Sequence, residues 1–494
     1  MSKSNFLFYS ISTAAFFAAT PLLAQVSASD IWAEWQAQSA LTGNQLTAQT
    51  VTEAADQLIL DDVRSIANQD GAEGLFEIPQ IVMTELPDGT VSIEMSETMT
   101  ISSRFDDEMG KSSFSLSLSH ENLVVAVSGP VEDRTYVYAA DVLRLSDLEV
   151  IDFVGDIMDA SGSAVMTDLA GTTRVLEGNF ASSGTTGSIL INVTAEAPDL
   201  QEGSFKLSMS VADLVSSSYG SYADMAMLSS PLGTMPEDLS FGMDLGYGIG
   251  RFDIAFEDDS DGFSTSASTM GGGFDLTLSD ADGLSFSAYG TETRFDLTAQ
   301  DLPVPISYAT GSTRWELELP ISATSEPGDL TLVLNVQDLT MGAEIWSMFD
   351  ASQALPRDPI SFTLDLSGQA MLFADLISLD FENLDAPPGE LRALTLNNLN
   401  VMGLGAQLTG TGDVTFAPGQ TIPEPVGQVD LQLIGLNSLL SNLTIAGLLP
   451  MQQVAMIQAM SQMFAVPSAD EDTLTTVIDL QPGGAITANG IPLR

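Results

Sequence analysis

The chain has 494 residues, 67 Asp and Glu against 14 Lys and Arg, a net charge of −53, no cysteine and a single histidine. Such a charge repels nucleic acid, whose binding needs cations that neutralise phosphate, and it repels anionic membrane surfaces. The missing cysteines exclude disulfide staples, thiol nucleophiles and thiolate zinc sites, and one histidine is too few for an imidazole-built metal centre.

Met1–Asn5 carries one cation, Lys3, and Phe6–Ala24 carries no charge. A short apolar run with a small-residue exit is the pattern of a secretory signal peptide. Ser10, Ser12, Thr13, Thr20 and Pro21 interrupt the run, which sets it apart from a solid membrane span. Cleavage is expected after Ala24 or Ala28, and a helix start near Ser29 favours the later site. Loss of Lys3 takes the mature charge to −54. No cysteine follows to carry a lipid, and no later apolar run reaches spanning length. The expected location is the periplasm or envelope of a Gram-negative cell.

Ser29–Leu41 reads as a helix capped by Ser29 or Asp30, with Ile31, Trp32, Trp35 and Leu41 as its apolar stripe. Val51–Ala67 fits either a helix or an irregular strand. Alternation of period two then dominates, as in Phe114-Ser-Leu-Ser-Leu-Ser, Phe205–Val211, Leu330–Val336 and Phe362–Leu366. Alternating apolar and Ser, Thr or Asp residues describe sheets with one buried and one wet face. His120-Glu-Asn reads as a hairpin turn before a return strand, Leu123–Val127. No Gly-x-Ser-x-Gly accompanies the histidine, so an exposed turn residue is expected rather than a catalytic one.

A loose repeat, Arg251-Phe-Asp-Ile, Phe274-Asp-Leu, Arg294-Phe-Asp-Leu and Arg314-Trp-Glu-Leu, recurs at spacings of 22, 21 and 20. With Asp-Gly turns between copies, residues 240–335 are expected to be a meander of hairpins. The turn Glu257-x-Asp259-x-Asp261-Gly262 resembles the front half of a calcium loop, but Ser268 stands where the closing bidentate Glu belongs. Asp280, Asp282 and Gly283 repeat this more weakly. Calcium is the one cofactor these turns raise, and a plain polar turn is the default. With 67 acids in the chain, no carboxylate pair can be singled out for hydrolysis, and no catalytic constellation is recognised.

Besides Val51–Ala67, two segments break the strand rhythm. Asp338–Ala354 contains the helical stripe Ala343-Glu-Ile-Trp-Ser-Met-Phe. Leu436–Phe464 reads as two helices split at Pro450. In the second of these, Met451, Val454, Ile457, Met460 and Phe464 share one face, a candidate lid over an apolar ligand groove or a plain cover for the core. Thr475–Leu480 and Ala485–Ala488, with Asn489-Gly, read as a terminal hairpin. Pro356 and Pro359 force the corner after Trp346 to be extended, and Arg357 is expected to pair with nearby carboxylates there.

Trp346-Ser-Met-Phe-Asp350, Leu355-Pro-Arg-Asp-Pro359 and Thr363-Leu-Asp-Leu-Ser-Gly368 resemble a signature of the DUF2125 proteins of alphaproteobacteria. Asp30-Ile-Trp-Ala-Glu-Trp35 and the tail from Asp472 to Gly490 are similar to that family's beginning and closing hairpin. The resemblance implies an exported envelope protein and no catalytic residue. A more distant likeness, in strand pattern, is to envelope proteins of the AsmA type, associated with lipid movement between membranes.

The expected fold is mainly β: a large curved antiparallel sheet of successive hairpins, capped by an N-terminal helix and C-terminal helices. The expected divisions are 1–28 signal peptide, 29–235 an N-terminal β-rich half, and 236–494 a hairpin-repeat half, with the two halves able to form one domain. The expected role is a non-enzymatic envelope protein whose apolar sheet face holds lipid or another amphiphile. The alternatives are a structural or interaction protein with calcium at its turns, and an outer-membrane barrel, against which few aromatics and internal helices argue.

Overall fold

The computed structural model describes residues 26–41, 43–69, 72–107, 110–151, 159–196, 203–223, 238–258, 262–379, 387–419, 423–468 and 472–493. The signal-peptide segment lies outside them. The described chain forms one antiparallel sheet of 26 strand segments, with helices Ala28–Leu41, Ala343–Phe349, Leu436–Ile445 and Met451–Phe464. The mainly β architecture and all three helical regions agree with the sequence reading. The undecided stretch Val51–Ala67 is strand: Gln45–Ala54 pairs with Gln57–Gln69.

The topology is a simple meander once broken strands are rejoined. Ser240–Tyr247 and Gly250–Glu257 lie end to end, and so do Gly262–Thr269 and Gly271–Ser279, with one register running through both pairs. Residues 240–341 are therefore successive hairpins, as expected. One expectation fails. Gly110–Glu121 and Val124–Ser128 do not form a hairpin about His120. Both pair with Asp133–Ile151 and continue one line. Asn122, at φ 52°, interrupts the strand without reversing it. No pairing joins Gln45–Ala54 to the last strands among the described residues, so the sheet is open.

The interruptions fall on one seam. The flanking registers place Asn122 opposite Asp141, Asp141 opposite Asp168, Asp168 opposite Gly187, Gly187 opposite Asp213, and Asp213 opposite Gly248. Farther along, Glu292 faces Gly311 and Gly311 faces Asp338. Asn122, Asp168, Asp213, Glu292 and Asp338 are all left-handed, with φ between 45° and 55°. Short polar side chains tolerate that conformation by bonding locally, and β-branched ones do not. Glycine opposite gives room: a Cβ on Gly187 would crowd the Asp168 carboxylate at 2.8 Å, and one on Gly311 that of Asp338 at 3.0 Å.

The seam reverses the phase of alternation. In Asn179–Glu196 the sheltered residues are Phe180, Ser182, Gly184 and Thr186 before Gly187, but Ile189, Ile191, Val193 and Ala195 after it. Without the shift, a strand this long would turn its second half inside out.

The buried core sits at the N-terminal end. Val26, Ala28, Ile31 and Trp32 pack on Leu58, Leu60, Val63, Ile78, Ile81, Met83, Val91, Ile93, Met99 and Val127. The helix is capped by Ser27, whose Oγ accepts the Asp30 N–H at 3.1 Å, and not by Ser29 or Asp30 as expected. Helix Ala28–Leu41 begins one residue earlier because Ala28 is itself part of the core.

Replacing Asp213 by Val forces a β-branched residue into the left-handed region and should cost about 1–2 kcal/mol, while Asp213→Gly should stay within a few tenths of wild type. Urea unfolding measures both; equal stability for the two variants would remove the conformational role of the seam.

Candidate functional site

Because the phase shifts at the seam, apolar residues stay on one face across strand after strand. Met99, Leu118, Leu145, Ala164, Ile191, Met209, Phe252, Ala267, Phe295, Tyr308 and Met341 are consecutive cross-strand partners, each opposite the next. Ten interstrand steps of about 4.8 Å make this row about 48 Å long. Phe295 and Tyr308 stack at 5.1 Å within it. On the other side of the seam a second row runs Leu245, Phe274, Ala288, Trp315, Leu334 and Leu364.

This face is nearly free of charge. In the strands between Met99 and Met341, Arg144, Arg174, Lys206, Arg251, Asp253, Arg294, Asp296, Arg314 and Glu316 all fall on the opposite face, and Arg134 falls on this one. Arg64, Arg174 and Arg314 make their ion pairs on that opposite face. His120 lies on the apolar face, not at an exposed turn. Its Nε2 is 3.1 Å from the Ser96 carbonyl, and its Nδ1 is buried without a partner.

The face is sheltered unevenly. Trp315 is 55% exposed and Tyr308 38% exposed. Beside Trp315 lies a cavity of about 670 Å³ that is also lined by Met209, Val211, Tyr247, Phe252, Ala267, Phe274, Phe286 and Tyr289. Thr269, Thr293 and Thr313 also line it. A mostly apolar lining with a few hydroxyls, at this size, is the usual make-up of a small-molecule site.

A second cavity of about 400 Å³ lies between helix Met451–Phe464 and the sheet. Ile457, Met460 and Phe464 line it with Leu408, Leu431, Leu433 and Leu474. Of the other two residues expected on that helix face, Val454 is half-buried and Met451 is 76% exposed; neither lines the cavity.

At the N-terminal end the face is plugged. Arg134 is fully buried, and its Nε donates to Glu34 Oε2 of the first helix at 3.2 Å. Its Nη1 donates to the Gly129 carbonyl. Burial, and then the Glu34 charge, push the neighbouring Tyr136 phenol well above its ordinary range.

The Leu355–Pro359 corner is structural. Arg357 lies over the Trp346 ring at 5.4 Å, a cation–π contact, donates to the Asp350 carbonyl at 3.5 Å, and its charge helps to hold the Asp350 carboxylate ionised. The buried Asp350 carboxylate instead accepts the N–H groups of Ala354 and Leu355, at 2.8 and 3.0 Å, and the Ser352 hydroxyl. Burial opposes its ionisation, yet those donors hold its pKa below the ordinary 3.8. Pro356 packs against Gly405, and Pro359 directly precedes strand Ile360–Leu372.

Of the calcium candidates, Asp259 and Asp261 lie outside the described residues, and Glu257 ends strand Gly250–Glu257. Asp280 accepts the Ser322 hydroxyl at 2.8 Å. Among the described residues no group of three or more His, Asp or Glu is placed to hold a metal. No described helix is long and apolar enough to cross a membrane.

Comparison with protein-family models, curated proteins and solved structures finds no match to the chain. The likeness to DUF2125 rests on the motifs quoted above.

Two substitutions test this geometry. Glu34→Ala leaves the Arg134 charge buried and unpaired and should destabilise by about 3–5 kcal/mol in chemical denaturation; a cost under about 1 kcal/mol would contradict the plug. Asp350, with its lowered pKa, contributes stability above the ordinary 3.8 that is lost as pH falls through the folded value. Melting temperature should therefore fall more steeply with acidification in wild type than in Asp350→Asn, and parallel curves would contradict the assignment.

Proposed function

We propose that this chain is an exported, non-enzymatic envelope protein that holds a lipid or another amphiphile against the apolar face of its sheet. The observation that carries the reading is the unbroken, uncharged row from Met99 to Met341. A soluble protein rarely leaves so long an apolar surface half-covered without a partner for it. The four helices named above among the described residues are too few to cover it, and the exposed Trp315 and Tyr308 mark where cover is missing. Charges on the far face keep the chain in water while the near face accepts acyl chains.

The same reading places the mature start at Gln25. Val26 and Ala28 are 1% and 3% exposed, and the Ala28 N–H donates to Glu85 Oε1 at 2.9 Å. Cleavage after Ala28 would strip both residues from the core, which favours Ala24 over the later site. N-terminal sequencing of protein secreted to the periplasm should read Gln25; a start at Ser29 would contradict this.

Native mass spectrometry and lipid extraction of the mature protein should find bound amphiphile. A fluorescent fatty-acid probe should bind, and Ala267→Trp, which fills the central cavity, should weaken it about tenfold or more while circular dichroism stays unchanged. A ligand-free preparation that binds no probe would overturn the proposal and favour an interaction protein.

A further inference from the structure

From Leu431 to Ser468 the chain runs 38 residues without a charged side chain, in a protein with 67 acids. The stretch holds the two C-terminal helices. Helix Met451–Phe464 is neutral all round and has no buried residue. One side, with Ile457 and Phe464, faces the sheet across the cavity described above. The other side is open: Met451, Met456 and Met463 are 76%, 57% and 56% exposed, and Ile445 at the end of the preceding helix is 65% exposed. A helix that is apolar or neutral on every side is ordinarily covered on every side. Here the sheet covers one side only.

We propose that the exposed side of this helix pair docks on the surface of a lipid bilayer. Charge selects that occupant. An acidic protein is pushed away from lipid everywhere except where its charge stops, and it stops only here for so long a stretch. Methionine side chains adapt to an irregular apolar medium. Self-association would bring two chains of net charge −53 together. The helix has no cations, so docking works by apolar burial and prefers zwitterionic to anionic lipid. Because the same helix walls the cavity, docking would set the apolar face beside its source of amphiphile; that last step rests on the function proposed above.

Flotation of the mature chain with phosphatidylcholine vesicles tests the docking, and probe binding without vesicles reads the apolar face separately. Wild type should float, and Met456→Glu with Met463→Glu should lower flotation about tenfold or more while leaving probe binding intact. The milder pair Met456→Gln with Met463→Gln should fall between them. With phosphatidylglycerol vesicles, binding should be weak at low salt and rise as salt screens repulsion, opposite to a basic anchor. Wild type that never floats, a Glu pair that floats like wild type, or a dimer that the Glu pair abolishes while wild type stays unbound would each overturn the proposal.

Discussion

The fold depends on keeping one face of a very long antiparallel meander apolar from end to end. Strands of up to 19 residues, such as Asp133–Ile151, cannot do this by strict alternation while also crossing the interruption at Asn122–Asp338. The left-handed residues of the seam resolve the conflict. They alternate with Asp141, Gly187, Gly248 and Gly311 on the neighbouring strands, the phase shifts by one place in each strand, and the glycines give the seam carboxylates room. The price is conformational strain at non-glycine positions, kept low by choosing Asp, Asn and Glu there.

From that constraint the distribution of charge follows. With the apolar residues in register on both sides of the seam, Asp, Glu, Lys and Arg are left to the other face. Arg134, a cation on the apolar side, is neutralised by Glu34 where the first helix closes the sheet. Tight packing is concentrated there, between Val26 and Val127. Farther along, the sheet relies on its hydrogen-bond ladders and on partial shelter of large side chains.

Much of this was legible in the sequence. The Ser and Leu alternation of Phe114–Leu118, the Asp-Gly turns and the prolines bounding the C-terminal helices announce the meander and its helices. The seam is also written there, as apolar-x-Asp-apolar: Met166-Thr-Asp168-Leu169, Val211-Ala-Asp213-Leu214 and Val336-Gln-Asp338-Leu339. It is easily passed over because Asp in a strand reads as one more polar, outward position. The same blind spot made His120-Glu-Asn122 look like a hairpin turn. The Arg357 contact was not readable because Trp346 meets it across a helix and a corner, and the central cavity is assembled from strands far apart in the chain.

A diazirine fatty acid, photolysed on the mature protein and mapped by peptide mass spectrometry, tests most directly whether the uncharged face is a ligand surface. The account predicts labels on both sides of the seam, at Met209, Phe252, Phe295 and Trp315, and none at the outward Val215 and Tyr219. Labels confined to outward residues, or spread evenly over the two faces, would contradict it.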